Sequence, residues 1–314
     1  MALLLQYTLI FASVLLLVAL GGCFAERSGI INIGLEGIMV IGALGGALVM
    51  KFLPVSLGAP VMILATIVTS ALFGMLFSAL LAVAAINFKA DQTITGTAMN
   101  MLATAAATVA VKAMNTAASG GSDVSSEIAY TSARELFLVR FGGFEFNWFM
   151  AVALVALVIS YVMLYKTRFG LRLRACGEHP HAADSVGINV YKMLYAGVLI
   201  SGILGGLGGI VYITAGVNSW KFENGVAGFG FLALAVMIFG AWHPIKIALA
   251  ALLFGFCRAL GNVYSGFGFL MQMNIPSVVY NMLPYIISLV VLAFTSKKSR
   301  APKAEGIPYD KGTR

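Results

Sequence analysis

The sequence predicts an all-α fold: a polytopic transmembrane helical bundle of about eight to ten spans. Three observations carry this. The 314 residues are 60% hydrophobic and only 10% charged, whereas a soluble domain is charged at roughly a quarter of its positions. The apolar excess is gathered into runs free of Asp, Glu, Lys and Arg, at 1–25, 52–88, 92–111, 147–165, 193–220, 224–245 and 259–296; roughly 20 apolar residues cross a bilayer as helix. The basic residues concentrate between and after these runs, notably at Lys166, Arg168, Arg172 and Arg174 and from Lys297 onward.

The elements follow in order. Span 1 covers about 3–23. Span 2 covers about 30–52, after Glu26 and Arg27. Pro54 and Pro60 mark a turn, and span 3 covers about 61–86. Span 4 covers about 92–111, with Asp91 and Thr93 placed to cap its start. A polar segment, 112–146, contains Ser119-Gly-Gly-Ser122 and charges of both signs. Spans 5 to 9 cover about 147–165, 193–216, 227–242, 246–263 and 276–296. Lys and Arg favour cytoplasmic loops, which places the loop 166–190 and the basic tail 297–314 inside, and 112–146 outside. Residues 1–296 thus form one membrane domain. The Pro- and Gly-containing tail is expected to be disordered. A Gly-rich break or re-entrant piece at span 2 or span 7 would change the count by one. Gly42 and Gly46, Gly202 and Gly206, and Gly205 and Gly209 are each four apart, the spacing of close helix packing in lipid.

Several function classes are excluded. The net charge of +8 reflects the positive-inside bias rather than nucleic-acid binding. Cys23, Cys176 and Cys257 have neither disulfide nor zinc spacing. Leu20-Gly-Gly-Cys23 resembles a lipoprotein cleavage box, but the chain continues into further membrane segments. There is no HExxH, and no Gly-Lys pair from which a P-loop is built. The chain is therefore read as a transport subunit, not an enzyme. It holds no cofactor or metal, and any ATP and Mg belong to a partner.

Two constellations suggest a translocation path. Ser28-Gly-Ile-Ile-Asn-Ile-Gly-Leu-Glu-Gly37 opens span 2. Asn32 and Glu36 share a face if the segment is helical, and an intramembrane carboxylate must face protein or a water-filled cavity. Such a Glu either borders the path or pins two helices together. Asp91-Gln-Thr-Ile-Thr-Gly-Thr-Ala-Met-Asn100 opens span 4 and offers Thr97 and Asn100, the latter also suited to an interhelical hydrogen bond. Asn224, beside Glu223, stands at the outer mouth. Arg258, within span 8, either snorkels outward or pairs with a buried acid.

These blocks, with Gly170-Leu-Arg-Leu-Arg-Ala-Cys-Gly-Glu178 and Gly228-Phe-Gly-Phe-Leu-Ala-Leu-Ala-Val-Met-Ile-Phe-Gly-Ala-Trp-His-Pro244, resemble the permease subunits of bacterial ABC importers. The branch is that of branched-chain amino acid, simple sugar and nucleoside permeases, and the resemblance is greatest to the shorter of the paired nucleoside permeases. One departure is Phe229, where the pattern usually has a basic residue. The resemblance implies a multi-pass protein of the bacterial inner membrane that imports nucleosides, or alternatively sugars or branched-chain amino acids. It implies an ABC ATPase, a second homologous permease and an extracytoplasmic binding lipoprotein as partners, in the lipid bilayer and without nucleic acid. It also implies that the cytoplasmic loop couples to the ATPase through Gly170, Arg172, Arg174, Gly177, Glu178, Ala182, Ala183 and Gly187. An ion-coupled secondary transporter is the more distant alternative. Glu36 is its only clear intramembrane acid.

Overall fold

A computed structural model describes residues 2–141, 144–215, 217–266, 276–295 and 301–312. The helices are α1 (Ala2–Ser28), α2 (Leu35–Phe52), α3 (Ala59–Ala82), α4 (Gln92–Ala118), the short α5 (Thr131–Glu135), α6 (Trp148–Lys166), α7 (Arg168–Glu178), α8 (Pro180–Ser185), α9 (Val190–Thr214), α10 (Phe229–Phe239), α11 (Pro244–Val263) and α12 (Ser277–Thr295). A π-helical turn, Val83–Asn87, prolongs α3. Among the described residues, seven helices are long and apolar enough to cross a membrane: α1, α2, α3 with its π turn, α4, α6, α9 and α11. The 19-residue α12 coincides with the ninth predicted span. The polytopic helical bundle read from the sequence is therefore the observed architecture.

Local chemistry fixes where helices begin. The side chains of Asp91, Asn147, Thr167 and Asn189 accept backbone N–H groups at the starts of α4, α6, α7 and α9, at 2.8–3.2 Å. These are ordinary N-caps, each worth about 1 kcal/mol.

The centre of the bundle is built from α1 and α9, which pack along each other and against α2, α3 and α11. Here the predicted small-residue spacing acts as expected. A side chain on Gly42 would collide with the backbone of Gly206, and one on Gly209 with the carbonyl of Met39. The absence of side chains lets α2 and α9 meet backbone to backbone, gaining dispersion contacts where no hydrophobic force separates helix from lipid.

The two ends of α1 separate the polar segments. Twenty-seven residues span about 40 Å. Near the start, the Gln6 amide donates to Glu145 at 3.3 Å. At the far end, Arg27 pairs with Glu178 at 3.8 Å. The polar segment 112–146 and the basic loop 166–190 thus lie at opposite ends of the molecule. The 112–146 end carries two small antiparallel pairings. β1 (Glu127–Ala129) joins β4 (Ser219–Lys221), and β2 (Leu138–Phe141) joins β3 (Phe144–Asn147).

Three expectations are corrected. Span 2 does not start at 30: residues 29–34 are not helical, and α2 begins at Leu35. Span 7 is the 11-residue α10, about 16 Å long and only about half the hydrocarbon core. Gly225 and Gly228 take positive φ (56° and 79°) just before it, which breaks the chain. The disorder expected of 297–314 does not describe 301–312. There, Tyr309 is buried, Ala304 N–H donates to the Gly177 carbonyl (2.9 Å), and Gly306 N–H donates to the Gly29 carbonyl (3.1 Å).

Candidate functional site

The unwound stretch 29–34 lies inside the protein, so its backbone polar groups need partners. Side chains from α4 supply them. Gln92 Oε1 accepts Ile31 N–H at 2.7 Å. Asn100 acts at both ends of its amide, donating to the Ile33 carbonyl at 3.0 Å and accepting Gly37 N–H at 2.8 Å. Asn32 is fully buried and donates to Ser201 Oγ of α9 at 2.8 Å. These contacts correct the sequence reading. Asn32 does not share a helical face with Glu36, because the intervening backbone is not helical. Asn100 serves as a structural bridge.

Glu36 joins the two broken elements. Its carboxylate accepts Gly228 N–H at 2.8 Å and Gly230 N–H at 2.7 Å, at the start of α10. The first N–H groups of a helix lack intrahelical partners and carry the positive end of its dipole. A carboxylate is the natural complement. Of the two roles weighed for Glu36, the geometry shows the pin between helices. Arg258 lies over the ring of Phe229, 5.4 Å from its centroid, so α10 also packs against a cation from α11.

α4 differs from the other exposed spans. Like α3 and α6, it has only 28% of its most apolar 18 residues buried. Yet α3 exposes Leu64, Leu72, Leu76 and Leu80, and α6 exposes Leu154, Val155, Val158 and Ile159. α4 exposes Thr97, Ala98, Ala105, Ala106 and Ala110, with Thr104 and Thr108 half-exposed and Ile94, Met101, Leu102 and Val109 as its larger apolar groups. Thr97, Thr104 and Thr108 are seven and four residues apart and share a face. Toward the outer end this face leads to Lys112, which pairs with Glu223 at 3.6 Å, beside the exposed Asn224. Thr97 thus lies at one end of this face, and Asn224 lies next to the residue that pairs with Lys112 at the other. Thr104 and Thr108 were missed by the sequence reading, although the Thr/Ala spacing of 93–113 was visible.

On the opposite end, α7 and α8 form a bent hairpin with two faces. Gly170, Leu173, Cys176, Gly177 and Ala183 point inward. A side chain at Gly170 would strike α6 at Met163 and Leu164, and one at Gly177 would strike the Arg27 backbone. Arg174 also turns in, its guanidinium 4.6 Å above the Tyr165 ring. Leu171, Arg172, His179, His181, Ala182, Val186 and Gly187 are exposed. The predicted coupling set therefore divides. Arg172, Ala182 and Gly187 present themselves outward, half-exposed Glu178 pairs with Arg27, and Gly170, Arg174, Gly177 and Ala183 seat the hairpin. The hairpin also meets the end of α1, whose Glu26 accepts the Trp242 indole N–H at 2.6 Å and whose Arg27 donates to the Trp242 carbonyl at 3.2 Å. This fastens the α10–α11 turn, where Ala241 and Trp242 both hold positive φ, a conformation costly for residues with side chains.

Comparison with known proteins gives the family. Residues 4–294 match the family described as branched-chain amino acid transport system / permease component. The guanosine ABC transporter permease protein NupQ of Bacillus subtilis is 44% identical, over 98% of this chain and 96% of its own. The nucleoside ABC transporter permease protein NupC of Lactococcus lactis is 39% identical, over 96% and 95%. A second Bacillus subtilis protein, the guanosine ABC transporter permease protein NupP, is 27% identical over 88% of this chain and 77% of its own. With seven apolar spans among its described residues, its broken helices and a match covering nearly its whole length, the chain belongs to the branched-chain amino acid transport system permease family and is a multi-pass protein of the inner membrane.

Proposed function

We propose that this protein is a transmembrane permease subunit of an ATP-driven nucleoside importer. The observation that carries the substrate class is the Glu36–α10 junction. In broken-helix carriers, a half-helix N-terminus within the membrane receives the anionic group of a substrate. In this chain the Glu36 carboxylate already fills that position. An amino-acid carboxylate would have to displace it, whereas a neutral nucleoside has no need of the site. The names of the relatives NupQ and NupC point the same way.

The path runs along the Thr97–Thr104–Thr108 face of α4 to Asn224 at the outer mouth. This face turns toward a second, homologous permease, and a binding lipoprotein delivers solute to the β1–β4 end. Small and hydroxylated side chains suit a path that must bind a neutral solute weakly. An ABC ATPase docks on the outward face of the α7–α8 hairpin, centred on Arg172, and supplies ATP and Mg. The inward residues, Gly170, Gly177 and Arg174, transmit its movement to α6 and the end of α1. To move a population from 1:99 to 99:1, ATP must favour one conformer by about 5.5 kcal/mol.

The test is uptake of radiolabelled guanosine, leucine and ribose by cells producing the complete transporter. Saturable guanosine uptake, competed by other nucleosides and not by leucine or ribose, is expected. Arg172→Glu abolishes it while the protein still reaches the membrane. Leucine or ribose uptake without nucleoside uptake contradicts the assignment.

A further inference from the structure

Residues 301–312 form no helix or strand, are rich in Gly, Pro and charge, and read as a solvated tail. They are nevertheless tied to four separate elements. The Ala304 N–H reaches the Gly177 carbonyl at the end of α7, and the Gly306 N–H reaches the Gly29 carbonyl where α1 gives way to the unwound stretch. Gly306 has φ +79°, and a side chain there would sit 2.8 Å from Ile31. Tyr309 is 6% exposed, with its ring centroid 5.1 Å from that of His181 in α8 and 5.4 Å from that of Tyr191 in α9. The Asp310 carboxylate meets Lys89 Nζ at 2.6 Å. Lys89 itself holds φ +52° in the joint between the π turn and α4. The segment thus touches the hairpin, the α1–α2 joint, the foot of α9 and the joint that leads into α4.

From this geometry we propose that 301–312 is a clasp that locks the α7–α8 hairpin to the foot of α4, so that movement of the hairpin is carried directly to the path-lining helix. The clasp rests on the reading of the hairpin as the ATPase coupling element. Without the segment, the hairpin reaches α4 indirectly, through α1 and the unwound residues 29–34 or through α9 and the π turn, where Tyr195 Oη donates to Asn87 Oδ1 at 2.8 Å. Gly29 and Gly177 are the fixed points because their carbonyls are the acceptors. Tyr309 supplies the apolar anchor, and the Lys89–Asp310 pair supplies the link to α4. That pair is half-exposed, at 44% and 39%, so altering it leaves the buried packing intact. The Asp310 carboxyl is held below the usual carboxylate range, chiefly by its hydrogen bond to Lys89.

The experiment uses the complete transporter in proteoliposomes, measuring guanosine uptake, ATP hydrolysis and retention of the ATPase subunit on the purified permease. In a chain ending at Arg300, the ATPase subunit is retained, but guanosine moved per ATP falls at least ~5-fold, within the range of allosteric couplings. Lys89→Asp and Asp310→Lys each lower this ratio by ~2-fold, as suits an exposed pair, and the double reversal restores it. An unchanged ratio in the shortened chain overturns the clasp. Loss of the ATPase subunit from the shortened chain overturns it as well, because the segment would then be an anchor rather than a link. Arg172→Glu, measured in parallel, separates the two readings: an unaffected Arg172 variant removes the coupling assignment itself, whatever the clasp variants do.

Discussion

α4 and α6 leave the same small share of their apolar stretch buried, yet they expose different chemistry. α6 presents Leu154, Val155, Val158 and Ile159, a surface that lipid chains solvate well. α4 presents Thr97, Ala98, Ala105, Ala106 and Ala110, broken by Ile94, Met101, Leu102 and Val109. Lipid gains little from an Ala/Thr surface, whereas another helix can approach it closely, and water can line it. Exposure in a membrane protein therefore has two meanings, and side-chain chemistry separates them. On the function proposed above, α6 faces lipid, and α4 faces the companion permease and the path.

The largest effect expected from this contrast comes from placing a charge at the middle of each helix. Val158→Lys puts an ammonium into hydrocarbon, at a cost of about 2.5–3.5 kcal/mol on insertion scales. Immunoblots of the membrane fraction should show a severe loss of protein. Ala105→Lys should leave membrane yield near that of the parent and abolish guanosine uptake. Equal yields for the two variants would erase the distinction.

A smaller effect concerns how α4 is held. Asn100→Ala strands the Gly37 N–H and the Ile33 carbonyl, each costing about 1–3 kcal/mol if left unpaired. Asn100→Asp keeps the acceptor for Gly37 but loses the donor to Ile33. Thermal unfolding in detergent should rank the parent above both variants, and an unshifted midpoint for Asn100→Ala would remove the bridge. Glu36→Gln keeps one acceptor oxygen for the start of α10 and should be milder in the same assay than Glu36→Ala, which keeps none.

The smallest effect lies in the clasp and depends on pH. Glu305 sits against Glu26 and Arg27, and burial pushes its carboxyl above the ordinary 4.5. An acid whose pKa is raised on docking binds best when protonated. Its contribution is complete below about pH 4.5 and is lost as pH rises through the raised value. Protease access to 301–312 should therefore increase over that interval in the parent, and Glu305→Gln should flatten the rise. An identical pH profile in the variant would exclude Glu305 as its source.

What was legible in the sequence follows from the range of the forces involved. Charge-free runs and clusters of basic residues are local, so the bundle and the separation of 112–146 from the 166–190 loop could be read directly. The close approach of α2 and α9 was legible in the Gly spacing. The broken helices were only hinted at by glycines, because the decisive contacts join Glu36 to Gly228 and Asn100 to Ile33, far apart in the chain. Arg174 looked like Arg172 in composition. Only the placement of Tyr165 beneath it turns it inward. Residues 301–312 read as disordered because their anchoring depends mainly on backbone N–H groups and one tyrosine, which composition does not reveal.

The most direct test of α4 as the path wall is thiol labelling during transport. The native cysteines are buried, so cysteines introduced singly as Thr104→Cys and Val158→Cys can be compared in the complete transporter with a membrane-impermeant methanethiosulfonate reagent. Thr104→Cys should react, guanosine should slow the reaction, and labelling should block uptake, while Val158→Cys stays unlabelled. Labelling of Val158→Cys with an inert Thr104→Cys would contradict the account.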